Sequence, residues 1–164
     1  MSAPADADRA LRDQLARLLG WRDAHADFDA AVEGVPEEAR GVRPRGLPHS
    51  AWELLEHLRL TQADILEFCR SESYREKEWP RDYWPDSPAP PGAGAWDRAA
   101  GEYRADREAL QSLALDPGVN LLDAIPWGTG QTYLRELLLV ADHMAYHVGQ
   151  LVLVRRALGA WNPE

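Results

Sequence analysis

The chain has 164 residues, enough for one domain with a substantial hydrophobic core, and we predict a single domain over residues 1–164. Its 27 acidic residues outnumber its 18 basic residues and give a formal charge of −9, which argues against a general nucleic-acid binder or an anionic-membrane binder. The single cysteine, Cys69, excludes an intrachain disulfide framework and suits a reducing compartment. Because the N-terminus lacks an apolar core and no aliphatic run approaches the ~20 residues of a bilayer span, we predict a cytoplasmic protein.

The first 48 residues are predicted to contain one long helix, one short helix and a loop. Leucines recur at helical spacing over about residues 6–19, and Gly20 is typical of a helix end. A shorter amphipathic segment follows over about residues 25–32. Residues 36–48 are rich in proline and glycine, so we predict a loop there.

A second long helix is predicted to begin after Ser50 and to fade near Arg70. Ser50 is a favourable N-cap residue, and Glu53 three residues later completes a capping box. The next segment, residues 79–94, holds five prolines and is predicted to form no long regular element. Its three aromatic residues are Trp79, Tyr83 and Trp84.

Two further helices complete the predicted fold. One spans about residues 95–113, and the other spans about residues 132–158, after a loop that contains Trp127. The apolar side chains of the last helix recur at three- and four-residue steps. The chain shows no internal repeat, no coiled-coil heptad and no convincing strand. The pattern predicts an all-α fold, a four-helix bundle with long loops between the helices.

Two histidines one turn apart on the last helix are the first indication of a function. His143 and His147 lie at positions i and i+4, so their side chains share one face beside the apolar stripe. Imidazoles at that spacing can bind one metal ion at about 2.0–2.1 Å each. Helices also carry such pairs by chance and use them in ordinary hydrogen bonds. The pair alone is compatible with either role.

His57 favours the metal interpretation. It lies within the apolar pattern of the second long helix, and helical bundles build metal sites from side chains on facing helices. His49 precedes Ser50, where an exposed or helix-stapling role is expected, and His25 is a weaker candidate for lining a pocket. Cys69 lies too far along the helix to share an ion with His57 and is predicted to be a small buried hydrophobe.

Other side chains are candidates for the surroundings of the metal. Glu53 lies one turn before His57, and both it and Glu56 are candidate partners of a ligand or candidate bases, although capping is the expected role of Glu53. Four aromatic residues in loops either form plain lids on the core or cover the mouth of a pocket: Trp79, Tyr83, Trp84 and Trp127.

Two stretches of sequence resemble motifs of the DinB/YfiT-like superfamily. Residues 50–59, SAWELLEHLR, resemble its second-helix motif, and residues 142–151, DHMAYHVGQL, resemble its fourth-helix motif. The resemblance covers nearly the whole chain and includes the two Trp-Pro pairs of residues 79–85 and the Trp-Gly pair of residues 127–128.

The resemblance implies an up-up-down-down-type four-helix bundle that is often dimeric. It also implies that His57, His143 and His147 bind a divalent ion, commonly nickel or zinc. The superfamily includes S-transferases and isomerases that depend on low-molecular-weight thiols, and metal-dependent hydrolases. Its link to DNA damage concerns expression rather than DNA binding.

Three functions therefore remain open from the sequence. The leading hypothesis is a metalloenzyme, in which the ion lowers the pKa of a bound thiol or water for thiol transfer or hydrolysis of a small-molecule substrate. The second is a non-catalytic metal-binding or small-ligand-binding module of a stress response. The third is a purely structural bundle without an ion.

Overall fold

The computed structural model describes residues 3–161 and shows five helices. These are α1 (Ala3–Leu18), α2 (Phe28–Val32), α3 (Ala51–Arg70), α4 (Ala95–Leu115) and α5 (Tyr133–Ala157). Within the described residues, the only β feature is an isolated antiparallel bridge between Ala124 and Thr132. The predicted all-α class is therefore confirmed. Residues 1–2 and 162–164 of the predicted domain lie outside the described residues.

The start of α3 is defined by the capping box that the sequence predicts. The Ser50 hydroxyl oxygen accepts the Glu53 N–H at 3.2 Å, and the Glu53 carboxylate accepts the Ser50 N–H at 2.8 Å. Two N–H groups that the helix itself leaves unpaired are thereby satisfied. Thr132 caps α5 in a similar way, because its hydroxyl oxygen accepts the Arg135 N–H at 3.2 Å.

The boundaries of the other elements differ from the prediction by a few residues. The short α2 begins at Phe28 rather than near residue 25, because Asp27 caps it by accepting the Ala30 N–H at 2.8 Å. Two segments predicted as loops each contain a single 3₁₀ turn, Glu37–Ala39 and Arg81–Tyr83. Neither turn extends, so both segments remain largely irregular.

Packing of the long helices divides the interior into two main hydrophobic clusters. α3 packs against α4 and α5, and α1 packs against α4. The first cluster joins α2 to the first half of α3, the first half of α4 and the second half of α5. The second cluster joins the end of α1 to the second half of α4 and the first half of α5. The first cluster surrounds the part of α3 that carries His57.

α5 is the most apolar of the long helices. In the part of the chain that the structure describes, α5 alone is long and apolar enough to cross a membrane by length and composition. One face of α5 is buried in the two clusters through Leu137, Val140, Met144, Val148 and Leu151. A core helix of a globular protein passes the same test, so this composition does not by itself indicate a membrane span.

Candidate metal centre

Three histidines from two packed helices converge beside the first hydrophobic cluster. His57 lies in the first half of α3 and is 1% exposed, while His143 and His147 lie one turn apart in the middle of α5. The ring centroid of His57 is 4.9 Å from that of His143 and 4.5 Å from that of His147. One ring nitrogen of each residue lies within 4.8 Å of the other two. The cluster is compatible with a metal-binding role.

The Nε2 atoms of His57 and His143 face each other within this cluster. His57 Nε2 lies 3.1 Å from His143 Nε2. Two nitrogens bound to a tetrahedral ion at 2.0–2.1 Å are separated by about 3.3 Å. The spacing of this pair therefore matches that of two ligands on one ion.

The Nδ1 atoms face outward and have oxygen atoms as partners. His57 Nδ1 lies 2.7 Å from the Tyr83 carbonyl oxygen, and His147 Nδ1 lies 2.7 Å from Gln150 Oε1. Both oxygens can only accept, so each Nδ1 carries the proton and donates it. Neutral rings with this tautomer present the Nε2 lone pair to the cluster. This is the arrangement in which metal-binding histidines are usually held.

His143 is held by a weaker contact of the same kind. Its Nδ1 lies 3.4 Å from the Thr61 hydroxyl oxygen, and that hydroxyl is itself 2.7 Å from the His57 carbonyl oxygen. Thr61 donates to the carbonyl, so its oxygen can accept the proton of His143 Nδ1 when an ion takes the His143 Nε2 lone pair. Without an ion, the 3.1 Å contact with His57 Nε2 needs the His143 proton on Nε2. Thr61 thus links two of the three histidines through the backbone of α3.

Burial keeps the three rings neutral. Loss of solvent, together with the neighbouring histidines, lowers the pKa of His57 to about 4, although the Tyr83 carbonyl opposes the change. Burial and the other two rings lower the pKa of His143 to about 3. Burial also lowers the pKa of His147. Neutral imidazole is the form that binds a metal ion, so the site needs no deprotonation at neutral pH.

Two residues of the proline-rich segment contact His57 with their rings. The indole ring of Trp84 stacks on the His57 imidazole, with 3.9 Å between centroids and an interplanar angle of 4°. Trp79, which is 66% exposed, meets the same imidazole edge-on at 6.2 Å. Residues 79–84 therefore lie over the histidine cluster.

A cavity of about 460 Å³ lies next to the cluster, between the second half of α3 and the first half of α5. Tyr83 lines this cavity, and its backbone carbonyl contacts His57, so one residue connects the cavity to the histidine cluster. Trp127 lines the cavity from the loop before α5, and its indole N–H donates to the Phe68 carbonyl at 2.7 Å. The structure places Trp127 at the cavity rather than against the histidines.

Three predicted pocket residues are not brought to the cluster. Glu53 is used by the capping box and by an ion pair with Arg43. Burial tends to raise the pKa of Glu53, but the bonds from Arg43 and Ser50 outweigh it and the pKa lies below its usual range. Glu56 pairs with Arg59 at 2.8 Å. His25 is exposed before α2, where its ring contacts the Ala26 carbonyl.

Several residues around the site were not identified from the sequence. His49 stacks on the opposite face of Trp84 at 4.2 Å, although an exposed or stapling role is predicted for it. The path of the loop brings these rings together, and no spacing in the sequence indicates that path. Thr61 and Gln150 could have been found, because they lie four and three residues after a candidate ligand on the same helix.

Cys69 takes no part in the cluster. It is buried at the end of α3 with Leu113 and Ile125, as the sequence predicts for a small hydrophobe. Burial, with a contribution from Glu136, raises the pKa of its thiol to about 12. A thiol in that state is a poor nucleophile.

The fold and the site together define a class: a helical protein with three neutral imidazoles converging between two packed helices. The family model of the DinB superfamily matches residues 21–151, and the chain belongs to that superfamily. The family indicated by the two sequence motifs is thereby confirmed. Neither the comparison with curated proteins nor the comparison with solved structures found a match.

Proposed function

We propose that this protein is a divalent-metal-dependent enzyme in which His57, His143 and His147 hold the ion, with nickel or zinc as the expected metal. The observation that carries the proposal is the shared orientation of the rings. Partners hold the Nδ1 side of each imidazole, and the Nε2 atoms of His57 and His143 face each other at 3.1 Å. Three protein ligands with an open position are typical of catalytic sites, whereas structural zinc sites use four.

The chemistry follows from the charge of the ligand set. An ion held by three neutral imidazoles keeps its full positive charge and lowers the pKa of a coordinated thiol or water. The protein contributes position and exclusion of water. Trp84 covers one face of His57, while Tyr83 and Gln150 hold the protons on the outer ring nitrogens.

The surroundings favour thiol transfer over hydrolysis. Among the described residues, no carboxylate is a hydrogen-bond partner of the three imidazoles, and Glu53 and Glu56 are paired with arginines. A hydrolase of the thermolysin type uses a carboxylate beside the metal-bound water as a base, and the two glutamates that the sequence offers for this role are engaged by arginines. A thiolate is a strong nucleophile without a base. We therefore place S-transfer, with a low-molecular-weight thiol as co-reactant, ahead of hydrolysis.

The lack of a carboxylate partner of the imidazoles among the described residues also supports a second candidate function. A non-catalytic module that binds a metal or small ligand in a stress response would keep the three histidines and need no acid or base. The close cover of His57 by Trp84 also suits a site that holds an ion without turning over a substrate.

Metal analysis followed by a conjugation assay separates these candidates. Purified protein is loaded with nickel or zinc and mixed with a small thiol and a model electrophile, with and without a chelator. The enzyme proposal expects thiol conjugation that needs the ion and disappears in His147→Ala. Metal binding without conjugation, and without hydrolysis of an ester supplied in place of the electrophile, favours the binding module. Failure to bind either ion rejects a metal role in both candidates.

The net charge and the exposed apolar side chains of α5 bear on the partners of the protein. The formal charge of −9 supports a small-molecule partner rather than nucleic acid or an anionic membrane, in a cytoplasmic setting. Three large apolar side chains are exposed on α5, namely Leu138, Tyr146 and Leu153, and they support a homodimer through this helix. Light scattering of wild-type protein and of Leu153→Glu tests the dimer, which the substitution should dissociate.

A further inference from the structure

Asp64 is a buried carboxylate that the proposed function does not use. It lies on α3 two turns after His57 and is 7% exposed. The Tyr83 hydroxyl donates to its Oδ2 at 2.8 Å, and the Tyr74 hydroxyl donates to the same atom at 3.3 Å. Lys77 Nζ lies 3.4 Å from Oδ1. One side chain of α3 therefore binds three groups of residues 74–83, the segment that leads to Trp84.

Tyr83 contacts both Asp64 and a histidine of the cluster. Its hydroxyl binds Asp64, while its backbone carbonyl accepts the proton of His57 Nδ1 at 2.7 Å. The next residue, Trp84, stacks on the His57 ring. Two contacts that orient His57 thus come from adjacent residues of one irregular segment, and that segment is tied to α3 through Asp64.

Two phenol hydroxyls supply the hydrogen bonds to the buried Asp64 carboxylate. A buried carboxylate is costly without such partners. Burial and the Asp64 charge raise the pKa of Tyr74 to about 12 and also raise that of Tyr83. Both phenols therefore remain protonated donors at neutral pH, and the connection persists throughout the physiological range.

We propose that Asp64 is a positioning residue for the metal centre, acting through Tyr83. By binding the Tyr83 hydroxyl it holds residues 74–84 against α3, so that the Tyr83 carbonyl fixes the His57 ring with Nε2 toward His143 and His147. The inference rests on the proposed metal site but concerns a different property, the orientation of one ligand before any ion binds.

A double-mutant cycle tests the inference. Asp64→Ala and Tyr83→Phe each remove one side of the hydrogen bond, and both keep the backbone carbonyl of residue 83. Each is expected to weaken Ni²⁺ affinity by about 10–100-fold, the usual cost of losing an outer partner of a metal-binding histidine. The double variant is expected to be no weaker than the weaker single variant, because both act on one connection. Asp64→Asn, which keeps an acceptor oxygen, should recover part of the affinity.

Two further measurements separate positioning from general destabilisation. The visible spectrum of the Co²⁺-loaded protein reports coordination geometry and should change in Asp64→Ala and Tyr83→Phe. Tyr133→Phe, which removes a phenol from the start of α5, is the matched control and should keep both the spectrum and the affinity. Thermal midpoints identify any variant whose loss of affinity merely follows loss of structure.

Nitrogen NMR of the metal-free protein tests the inference independently of metal binding. Wild-type His57 should show a single tautomer with the proton on Nδ1, and both single variants should show a mixture. Wild-type affinity and a single His57 tautomer in folded Asp64→Ala would overturn the inference, as would additive losses in the cycle. If the wild type binds no metal, the proposed function fails, and the tautomer measurement alone decides the role of Asp64.

Discussion

The three imidazoles of the cluster are held by partners of different strength. A backbone carbonyl holds His57, an amide three residues along the same helix holds His147, and a 3.4 Å contact with Thr61 holds His143. A backbone carbonyl cannot be removed by substituting its own side chain, so His57 loses this partner only when the segment that carries Tyr83 shifts. Side-chain changes can remove the partners of the two α5 histidines.

His147→Ala is expected to abolish tight metal binding and to leave the helices folded. Loss of a direct ligand should reduce affinity by more than about 100-fold, since losing an outer partner alone costs 10–100-fold. Alanine is favourable in a helix, so far-UV circular dichroism should not change. His25→Ala, at an exposed histidine outside the cluster, is the control. Full metal occupancy in His147→Ala would remove this residue from the ligand set.

The stability of the metal-free protein is expected to fall as the pH is lowered from about 6.5 toward 4. The folded pKa of His57 is about 4 and that of His143 about 3, against 6.5 for an ordinary histidine. The unfolded chain therefore binds more protons below pH 6.5, and proton binding favours unfolding. Urea denaturation at pH 7 and pH 5 measures the effect.

His143→Gln serves as the comparison in that experiment, because it removes one group with a depressed pKa. Most carboxylates titrate below pH 5, so the change in stability between pH 7 and pH 5 reports mainly on histidines. A smaller loss of stability in the variant is expected, and identical pH dependence of the two proteins would contradict the assignment of the effect to His143.

At the scale of elements, the capping box of α3 does more than start a helix. The Ser50 hydroxyl also donates to the Pro88 carbonyl at 2.5 Å, so the same side chain fastens the proline-rich segment to the beginning of α3. Ser50 is fully buried, whereas Pro88 is exposed, so the bond joins the interior to the surface segment. The cap and the loop are thus coupled through one hydroxyl.

Ser50→Ala is expected to cost about 2 kcal/mol of the free energy of unfolding. About 1 kcal/mol comes from the cap and about 1 kcal/mol from the partly buried hydrogen bond to Pro88. Thr132→Ala removes only the cap of α5 and should cost about 1 kcal/mol. Denaturant titration of both variants gives the two values. Equal costs would show that the bond to Pro88 adds nothing to stability.

The elements also show why part of the site was predictable. His57, His143 and His147 could be found because helical periodicity determines which residues share a face, whatever the loops do. The capping box was predictable for a similar reason, because it depends only on two residues three positions apart in the chain. The contacts of His49, Asp64 and Trp84 depend instead on the path of residues 74–89, and an irregular segment has no periodicity from which that path could be read.

At the scale of the whole molecule, the hydrophobic clusters hold the helices together without the metal centre. Both main clusters join three or more helices, and the second extends from the first half of α5 to the end of α1. Burial of apolar surface is the dominant favourable term in folding. The fold should therefore survive removal of the ion, and the ion should add stability only through its binding energy.

Chelation of the loaded protein is expected to leave helical content unchanged and to lower the thermal midpoint by roughly 5–10 °C. An ion present at 100 times its dissociation constant stabilises the folded state by about 2.7 kcal/mol, and each kcal/mol shifts the midpoint of a protein of this size by about 2–4 °C. Circular dichroism with and without a chelator measures both quantities. Loss of helicity on chelation would instead make the ion part of the fold.

The parallel contact between Trp84 and His57 gives the protein a built-in optical reporter. An indole 3.9 Å from an imidazole responds to whatever that imidazole binds, so loading with Ni²⁺ or Co²⁺ should quench the emission of Trp84. The chain has seven tryptophans, and subtracting the emission of Trp84→Phe isolates the one that stacks on His57. Occupancy could then be followed in real time, without a label, as ions, thiols or substrates are added.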